Sequence, residues 1–570
     1  MKLQSFRLSL ILLLALGCAR TPTGGDPERF EVLVRDYMTA RFTFYPSSAT
    51  QSGDHRFDDR LEDWSRAAID REASRIQKAL RDLESIDPAA LGEAGVDYDL
   101  FRSQAQAQLF DLTEMRPWQR DPSAYNFGGA AAGLISRDFA PAETRLRHLV
   151  SRLGQVGRQL ANAKQNLENP PPMFTEFAAE DFEGTITYLK NDVPKAFGEV
   201  KDPNLLAEYD QVLVKVTAET EAFVKWLRES LLPRSHGSYV LGEERYLKKL
   251  RLDEMIDLPV DTMLAMGDRE LARLKARYRL AARRIDRSWT MDQVLALMRR
   301  DHPAADSVLV AARALTLEQR AFCDTSGFIA IPAQADCVVR PTPEYEASRS
   351  FASFDGPGSL ETKATEAFYN ITLPAADWDS VRAEQFLQGF NRWSLASVSL
   401  HEVYPGHFVH SLYSKEAPTY VRKTSGSGAF AEGWGLYCEE AAIDHGYRKG
   451  DSRVEFGVMR WALVRACRLQ VGIRVHTRGM DMERAIRYFM DHAGLERANA
   501  EREAYRAAFD PTYIIYTLGA MQIRQLRDEV KTAQGDAFDL GRFHASMLSQ
   551  GSLPVSLLRR ILLPTTIGPS

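Results

Sequence analysis

The amino-acid sequence predicts a mostly α-helical protein that also contains a small β-sheet. Residues 351–374 include an Asp-Gly-Pro-Gly turn and a run of aromatic and β-branched residues that stops at Pro374, which is typical of a strand. A second short strand is predicted at residues 328–331, directly before a proline. Elsewhere, apolar residues repeat at the spacing of amphipathic helices in residues 143–167, 205–231, 260–284 and 499–509.

The composition is that of an ordinary globular protein. The chain has 570 residues, of which 45% are hydrophobic and 26% are charged, and its net charge is -5. This charge, together with the lack of a long Lys/Arg block in the mature part, argues against a nucleic-acid partner. The length could hold two to four small domains, but we predict that residues 28–570 form one large unit, with two helical lobes around a cleft.

The first eighteen residues have the features of a secretory signal peptide. Lys2 and Arg7 supply positive charge, and the apolar run at residues 8–16 is too short to span a bilayer. Residues 15–18 resemble a bacterial lipoprotein cleavage box, although Ala15 stands where leucine is commonest. We therefore expect Cys18 to carry a lipid; the alternative is a plain signal peptide that is cleaved nearby.

The segment after the signal peptide, residues 19–27, is rich in Thr, Pro and Gly and is predicted to be a flexible tether. No later segment has 18 consecutive apolar residues. We expect an exported protein on the periplasmic or cell-surface side of a bacterial membrane, held there only by its lipid anchor.

Export places the remaining cysteines in an oxidising compartment. Cys323 and Cys337 flank a short segment and are candidates for a disulfide, although the sequence does not fix the pairing. No two cysteines have Cys-x-x-Cys spacing, so a cysteine-based zinc or redox site is not expected.

The strongest functional signal is the sequence HEVYPGH at residues 401–407. Zinc prefers neutral imidazoles such as His401 and His407, and a glutamate beside one of them, here Glu402, can take a proton from water. In the common His-Glu-x-x-His motif the histidines are four residues apart and share one helix face. Here they are six apart, which on a regular helix turns them about 120° away from each other.

The residues between the two histidines can break the helix and so bring the two side chains together despite this spacing. Pro405 cannot donate a hydrogen bond to the carbonyl of His401, and Gly406 follows with unrestricted backbone angles. We therefore predict that the helix kinks or bulges here, so that His407 swings back toward the position of the missing ligand.

A third ligand is expected from a later helix that contains Glu432 and Glu439. These two glutamates are seven residues apart and share a helix face. Glu432 is preferred because it lies at the start of the helix, beside the Ser-Gly-Ser-Gly loop at residues 425–428. Two histidines and one carboxylate form a catalytic zinc set. Glu439 and His410 are then expected to support the ligands or to be solvated.

These motifs resemble a family of bacterial proteins grouped as domain of unknown function 885 and assigned to the gluzincin-like peptidase clan. The resemblance implies a mostly α, zincin-like fold with a small sheet whose edge strand lines the cleft, and it implies no particular substrate. The family commonly has a second histidine after Pro-Gly-His, where this chain has Phe408. The matching residues are His401, Glu402, Tyr404 to His407, Glu432 to Gly435, Tyr437, Glu439, Asp355, Gly356, Asn370 and the segment 511–519 with Tyr516.

Further residues are candidates for contact with a substrate. Tyr516 is expected either to hydrogen-bond the developing oxyanion, which the resemblance favours, or to be a core tyrosine. Tyr369 and Asn370 either present backbone to an extended peptide by strand addition or belong to an ordinary core strand. Arg506 and Arg527 are candidates for binding a substrate carboxylate, but surface salt bridges are the preferred interpretation for both.

Taken together, these residues predict a zinc-dependent peptidase in which His401, His407 and Glu432 hold Zn²⁺ and Glu402 is the general base. One alternative is hydrolysis of a non-peptide amide or ester by the same site. Another is a non-catalytic surface-binding lipoprotein with a structural metal. Glu402 argues against this last possibility, because a structural zinc site needs no base and closes all four ligand positions with protein groups.

Overall fold

The computed structural model describes residues 25–332, 335–343, 351–375 and 378–563. The predicted signal peptide, Cys18 and most of the predicted tether lie outside these residues. The tether prediction was two residues too long, because the first helix already begins at Asp26. Pro27 lies in its first turn, where the fixed backbone angle of proline suits a helix start.

The prediction of a mostly helical protein is confirmed. In the first part of the chain the helices are α1 (Asp26–Phe44), α2 (Pro46–Ser52), α3 (Arg66–Glu84), α4 (Gly95–Phe110), α5 (Pro117–Arg120), α6 (Gly128–Ala132), α7 (Ala142–Leu153), α8 (Val156–Asn166), α9 (Pro172–Asn191), α10 (Val193–Ala196), α11 (Pro203–Trp226), α12 (Glu243–Glu254), α13 (Val260–Ile285), α14 (Met291–Arg300) and α15 (Val308–Ser326).

The helices of the second part contain the predicted metal site. They are α16 (Ser380–Leu387), α17 (Arg392–Glu402), α18 (His407–Lys415), α19 (Tyr420–Thr424), α20 (Gly428–Asp444), α21 (Ser452–Thr477), α22 (Met482–Ala493), α23 (Arg497–Phe509), α24 (Ile515–Gln534), α25 (Leu540–Leu548) and α26 (Val555–Leu562). Among the described residues, no helix is both long enough and apolar enough to cross a membrane.

Three of the four predicted long helices are present as α11, α13 and α23. The fourth prediction, a single helix over residues 143–167, was wrong, because α7 ends at Leu153 and α8 starts at Val156. Gly154 lies at the break, and its N–H donates to the carbonyl of Val150. Glycine is a poor helix former, so the chain can turn there without interrupting the apolar pattern on either side.

The sheet has three strands, β1 (Cys337–Pro341), β2 (Ala352–Asp355) and β3 (Ala367–Ile371). Their order is β1-β3-β2, with β3 parallel to β1 and antiparallel to β2. The strand predicted within residues 351–374 is therefore confirmed, and that segment in fact supplies two strands. The strand predicted at residues 328–331 was wrong. Phe328 and Ile329 are fully buried in irregular backbone, so their apolar pattern reflects burial rather than strand pairing.

The cysteine prediction also needs correction. Cys323 in α15 and Cys337 at the start of β1 are both free and buried. They therefore act as small apolar core residues, and burial raises the pKa of each thiol, which disfavours the reactive thiolate.

One continuous apolar core extends through the described chain from Phe30 to Leu558. Its central element is α21, which is buried along most of its length and packs against α13 and α17. Gly457 permits the close approach of α17, because a Cβ atom at this position would lie 2.7 Å from the carbonyl oxygen of Trp393. The predicted division into two lobes stays a prediction.

The packing that matters most for the predicted site is the crossing of α20 and α24. Their backbones approach so closely that a Cβ atom on Gly433 would lie 2.6 Å from the carbonyl carbon of Gly519. A Cβ atom on Gly519 would in turn lie 1.8 Å from the carbonyl oxygen of Ala429. Only glycine fits at both positions, and the crossing brings Glu432 on α20 toward Tyr516 on α24.

We expect Gly433→Ala to destabilise the protein by roughly 1–3 kcal/mol, because the added methyl group forces the two backbones apart. Gly184→Ala is a matched control, since Gly184 lies inside α9 and its added methyl group would meet no atom within 4 Å. The control should be neutral or stabilising by up to about 1 kcal/mol. Unfolding midpoints in denaturant measure both, and equal midpoints for the two variants would contradict this account of the crossing.

Candidate metal centre

The break in the chain predicted between the two histidines is present. Helix α17 ends at Glu402, directly after His401, and α18 begins at His407. Gly406 is essential to this reversal, because a Cβ atom there would lie 1.8 Å from the carbonyl oxygen of His401. As a result the two imidazole rings lie edge to face, with centroids 4.7 Å apart.

Glu432 completes the cluster from α20. Its Oε2 atom lies 3.4 Å from Nε2 of His401 and 3.6 Å from Nε2 of His407. These separations exceed those of good hydrogen bonds. They match the edge of a tetrahedron of about 3.4 Å that zinc ligands form when each lies roughly 2.1 Å from the ion. The donor set and its spacing therefore fit zinc, and one donor atom from each residue lies within 4.8 Å of the other two.

Two neighbours of Glu432 hold α20 against the histidine segment. The indole Nε1 of Trp434 donates to the carbonyl oxygens of Pro405 and Gly406, at 3.1 and 3.2 Å. Gly435 lies under the ring of His401, where a Cβ atom would come within 2.6 Å of the imidazole. Trp434 and Gly435 are thus explained by contact with the histidine segment, and Gly433 by the crossing of α20 and α24.

Glu439 lies behind His401, as expected of a supporting residue. Its Oε1 atom is 2.9 Å from Nδ1 of His401, Ser397 donates to its Oε2 atom, and Arg465 lies 3.3 Å away. A carboxylate in this position favours the imidazole tautomer with hydrogen on Nδ1, which leaves Nε2 free to bind a metal. Burial raises the pKa of Glu439, but Arg465 and His401 outweigh it and lower the pKa overall.

The charge state of His401 is set by the same neighbours. Burial by itself lowers the pKa of this imidazole, but the carboxylates of Glu432 and Glu439 raise it to about 9. A metal ion bound at Nε2 would compete with the proton that these carboxylates favour. The pKa of Glu432 is held well below its usual range, because both histidines outweigh the effect of its burial.

Glu402 projects toward the edge of the small sheet. Its Oε2 atom accepts a hydrogen bond of 2.9 Å from the backbone N–H of Phe354 in β2. In the sheet that the described residues form, β2 is an edge strand, and the side of it that does not pair with β3 faces this carboxylate. The sequence did not single out Phe354, because a four-residue edge strand carries too weak a pattern.

The strand-addition hypothesis for Tyr369 and Asn370 was wrong. Both residues belong to β3, which is paired on both sides and has no free edge for a peptide. Both side chains are fully buried. The hydroxyl of Tyr369 lies 3.1 Å from Oγ of Ser399, and the amide oxygen of Asn370 accepts a 2.8 Å hydrogen bond from Arg340. Of the two interpretations, the ordinary core strand is therefore correct.

His410 lies close to the cluster but is not part of it. It is buried one turn after His407, with its Nε2 atom 3.0 Å from Oγ of Ser552 and its ring against Phe430. Burial and the nearby His407 lower its pKa to about 3, so the ring is neutral at ordinary pH. It packs beside the site.

Tyr516 is largely buried in α24, the helix that packs against α20 at Gly433, next to Glu432. Its hydroxyl accepts a 3.0 Å hydrogen bond from Arg506. Burial and the negative charge of Glu432 raise its pKa, against the opposing effect of Arg468 and Arg506, so it remains a hydrogen-bond donor.

Arg527 forms the predicted salt bridge, with Asp528 at 2.8 Å. The same prediction for Arg506 was wrong, because the described residues offer it no ion-pair partner.

The sequence alone did not identify Glu254, a residue that supports the start of α20. Glu254, at the end of α12, is buried at the start of α20 and accepts hydrogen bonds from Oγ of Ser427 at 2.5 Å and from the N–H of Ala429 at 2.9 Å. Burial raises its pKa to about 7 in spite of these donors. A cap supplied from more than 170 residues away leaves no local sequence signal.

Comparison with known proteins agrees with this architecture. The family model described as bacterial protein of unknown function (DUF885) matches residues 46–562. The chain belongs to this family. No protein in a search of curated proteins matches the chain.

Two solved structures have the same overall fold as this DUF885 protein. One is described as a “putative lipoprotein of unknown function” from Shewanella oneidensis; it is 26% identical, with a TM-score of 0.78, and the match covers 93% of this chain and 99% of that one. The other is described as “the putative lipoprotein from Colwellia psychrerythraea”; it is 18% identical, with a TM-score of 0.80, and the match covers 94% of this chain and 98% of that one.

Proposed function

We propose that this DUF885 protein is a zinc-dependent peptidase. The observation that carries the proposal is the position of the Glu432 carboxylate, 3.4 and 3.6 Å from the Nε2 atoms of His401 and His407. Two histidines and one glutamate are the protein ligands of a catalytic zinc site, and they leave one position for water or substrate. Glu402 lies next to these ligands in sequence and is available as a base.

Zinc, when bound, supplies a Lewis acid that polarises a carbonyl group and makes water a stronger acid. The carboxylate of Glu402 accepts a proton from the attacking water and later delivers it to the departing amine. The C–N bond breaks, the carbonyl carbon gains the hydroxyl group, and the amine gains the proton. The hydroxyl of Tyr516, kept protonated by its surroundings, donates a hydrogen bond to the carbonyl oxygen as that oxygen gains negative charge.

The free edge of β2 favours a peptide over a small amide or ester. The N–H of Phe354 points toward Glu402 rather than toward β3, so this edge presents backbone groups to the site. An extended peptide can pair with such an edge. We infer a zincin-like arrangement in which β2 lines the substrate cleft. Digestion of a peptide library by the zinc-loaded protein, read by mass spectrometry, tests the proposal, and a library left intact would contradict it.

The choice of Glu432 over Glu439 as the third ligand gives a direct prediction. Glu432→Gln removes an anionic ligand and should strip most of the zinc from the purified protein. Glu439→Gln removes only a group that orients His401 and should lower zinc affinity by roughly 10- to 100-fold. Metal content after dialysis against micromolar zinc separates the two variants. If Glu439→Gln alone loses the metal, the ligand set is wrong.

The role of Glu402 is tested by Glu402→Gln, which keeps the size of the side chain but cannot accept a proton. We expect zinc content and melting temperature near those of the wild type, and turnover lower by roughly 10²- to 10⁴-fold. All three are measured on one preparation with a peptide found in the library digest. Near-normal turnover by the zinc-loaded variant would exclude Glu402 as the base, and loss of zinc would show that it is a ligand.

We also propose that the protein is exported and anchored through Cys18. The two similar structures described as lipoproteins support this assignment. Cys18→Ser should move the protein from the membrane fraction to the soluble fraction of cells without changing its melting temperature, because Cys18 precedes the folded core. A variant that still sediments with membranes would contradict lipid anchoring.

A further inference from the structure

We propose that Arg506 binds the free C-terminal carboxylate of the substrate, so that the site removes residues from the carboxyl end of peptides. This inference rests on the proposed peptidase function. It goes further by naming the end of the peptide that is recognised and the residue that recognises it.

The contacts of Arg506 leave most of its hydrogen-bonding capacity unused. A guanidinium group has five N–H donors in a planar fork that matches a carboxylate. In the described part of the chain, the guanidinium of Arg506 donates only to the hydroxyl of Tyr516, at 3.0 Å, and no carboxylate lies within ion-pair distance. The nearby carboxylate of Glu503 is already occupied, because it accepts two hydrogen bonds of 2.8 Å from Arg468 and a third from Tyr513.

Other arginines of this region differ from Arg506. Arg468 is buried and is neutralised by Glu503, and Arg527 is paired with Asp528. Arg506 shares its aromatic neighbours with Arg468 but has no carboxylate partner among the described residues; its guanidinium carbon lies 5.0 Å from the ring centre of Tyr513 and 5.7 Å from that of Tyr516. Aromatic contacts of this kind hold a guanidinium in place without neutralising its charge.

The position of Arg506 relative to the metal cluster suits a terminal carboxylate. Tyr516, whose hydroxyl Arg506 contacts, lies one helical turn before Gly519 on α24, and Gly519 packs against Gly433, the residue that follows Glu432. Glu432 in turn contacts both histidines. One extended residue spans about 3.3–3.6 Å, so a carboxylate held by Arg506, next to Tyr516, belongs to a residue that closely follows the scissile bond. An internal segment of a long chain has no main-chain carboxylate to place there.

The surroundings of Arg506 also indicate which terminal side chain is preferred. Phe509 lies three residues later on the same helix face and stacks on Phe174 of α9, with ring centres 4.5 Å apart. Phe177 lies 4.9 Å from the same ring and is 46% exposed. These three phenylalanines form an aromatic patch near the cation, which favours an apolar or aromatic terminal residue.

The first test measures binding and needs no turnover. The probes are N-acetylphenylalanine and its amide, titrated calorimetrically into the zinc-loaded protein. We expect the free acid to bind at least 10-fold more tightly than the amide, and Arg506→Ala to weaken binding of the acid by roughly 10- to 100-fold. Arg502→Ala is the matched control, because Arg502 lies on the same helix outside these contacts, and it should bind like the wild type. An acid that binds Arg506→Ala as tightly as the wild type would overturn the inference, since the carboxylate would then be held elsewhere, for example by the metal.

The second test measures hydrolysis of peptides that share one sequence and end in either a free carboxylate or an amide. We expect the wild type to prefer the free acid through a lower KM, and Arg506→Ala to lose that preference. Equal cleavage of acid and amide by the wild type would overturn the inference while leaving the peptidase function in place. If the wild type cleaves neither peptide, the peptidase proposal fails instead, and the calorimetric result still decides whether Arg506 binds a carboxylate.

Discussion

Two imidazoles and a carboxylate meet where His401, His407 and Glu432 come together, and the surrounding helices are arranged to hold them there. Placing three such groups within a few ångströms of one another restricts their side chains and removes much of their water, which costs free energy. Close backbone packing provides the necessary rigidity. Gly406 allows the chain to reverse between the histidines, and Gly435 lets the ring of His401 lie directly on α20.

A second layer of buried charges supports this arrangement. Glu439 is held by Ser397 and Arg465 while it contacts His401, and Glu254 accepts hydrogen bonds at the start of α20. A buried carboxylate is tolerated only when its oxygen atoms are paired. Here the pairing does more than offset desolvation. Glu439 orients the imidazole of His401, and Glu254 fixes the start of α20, the helix that carries Glu432.

The elements around the cluster divide the proposed chemistry among separate parts of the chain. Glu402 contacts the edge strand β2, whereas Glu432 lies beside the helix that carries Tyr516. The proposed general base, oxyanion donor and carboxylate anchor thus come from α17, α24 and α23. An extended peptide with a free carboxyl end could contact all three, so the peptidase proposal and the proposed role of Arg506 are compatible with one bound geometry.

The sequence by itself determined the helical class, the strand within residues 351–374, the break at Pro405 and Gly406, and the four residues of the candidate centre. These follow from local causes: periodic apolar residues, a missing backbone donor, and donor types suited to zinc. The tertiary structure decided what depends on distant contacts. It placed Tyr369 and Asn370 in the central strand, left Cys323 and Cys337 as buried thiols, and supplied Glu254 as a cap. Among the described residues it gave Arg506 no carboxylate partner. Strand order and the pairing of charges depend on which surfaces pack together in the folded core. When the residues involved are far apart in the chain, the local sequence around each of them does not indicate the contact.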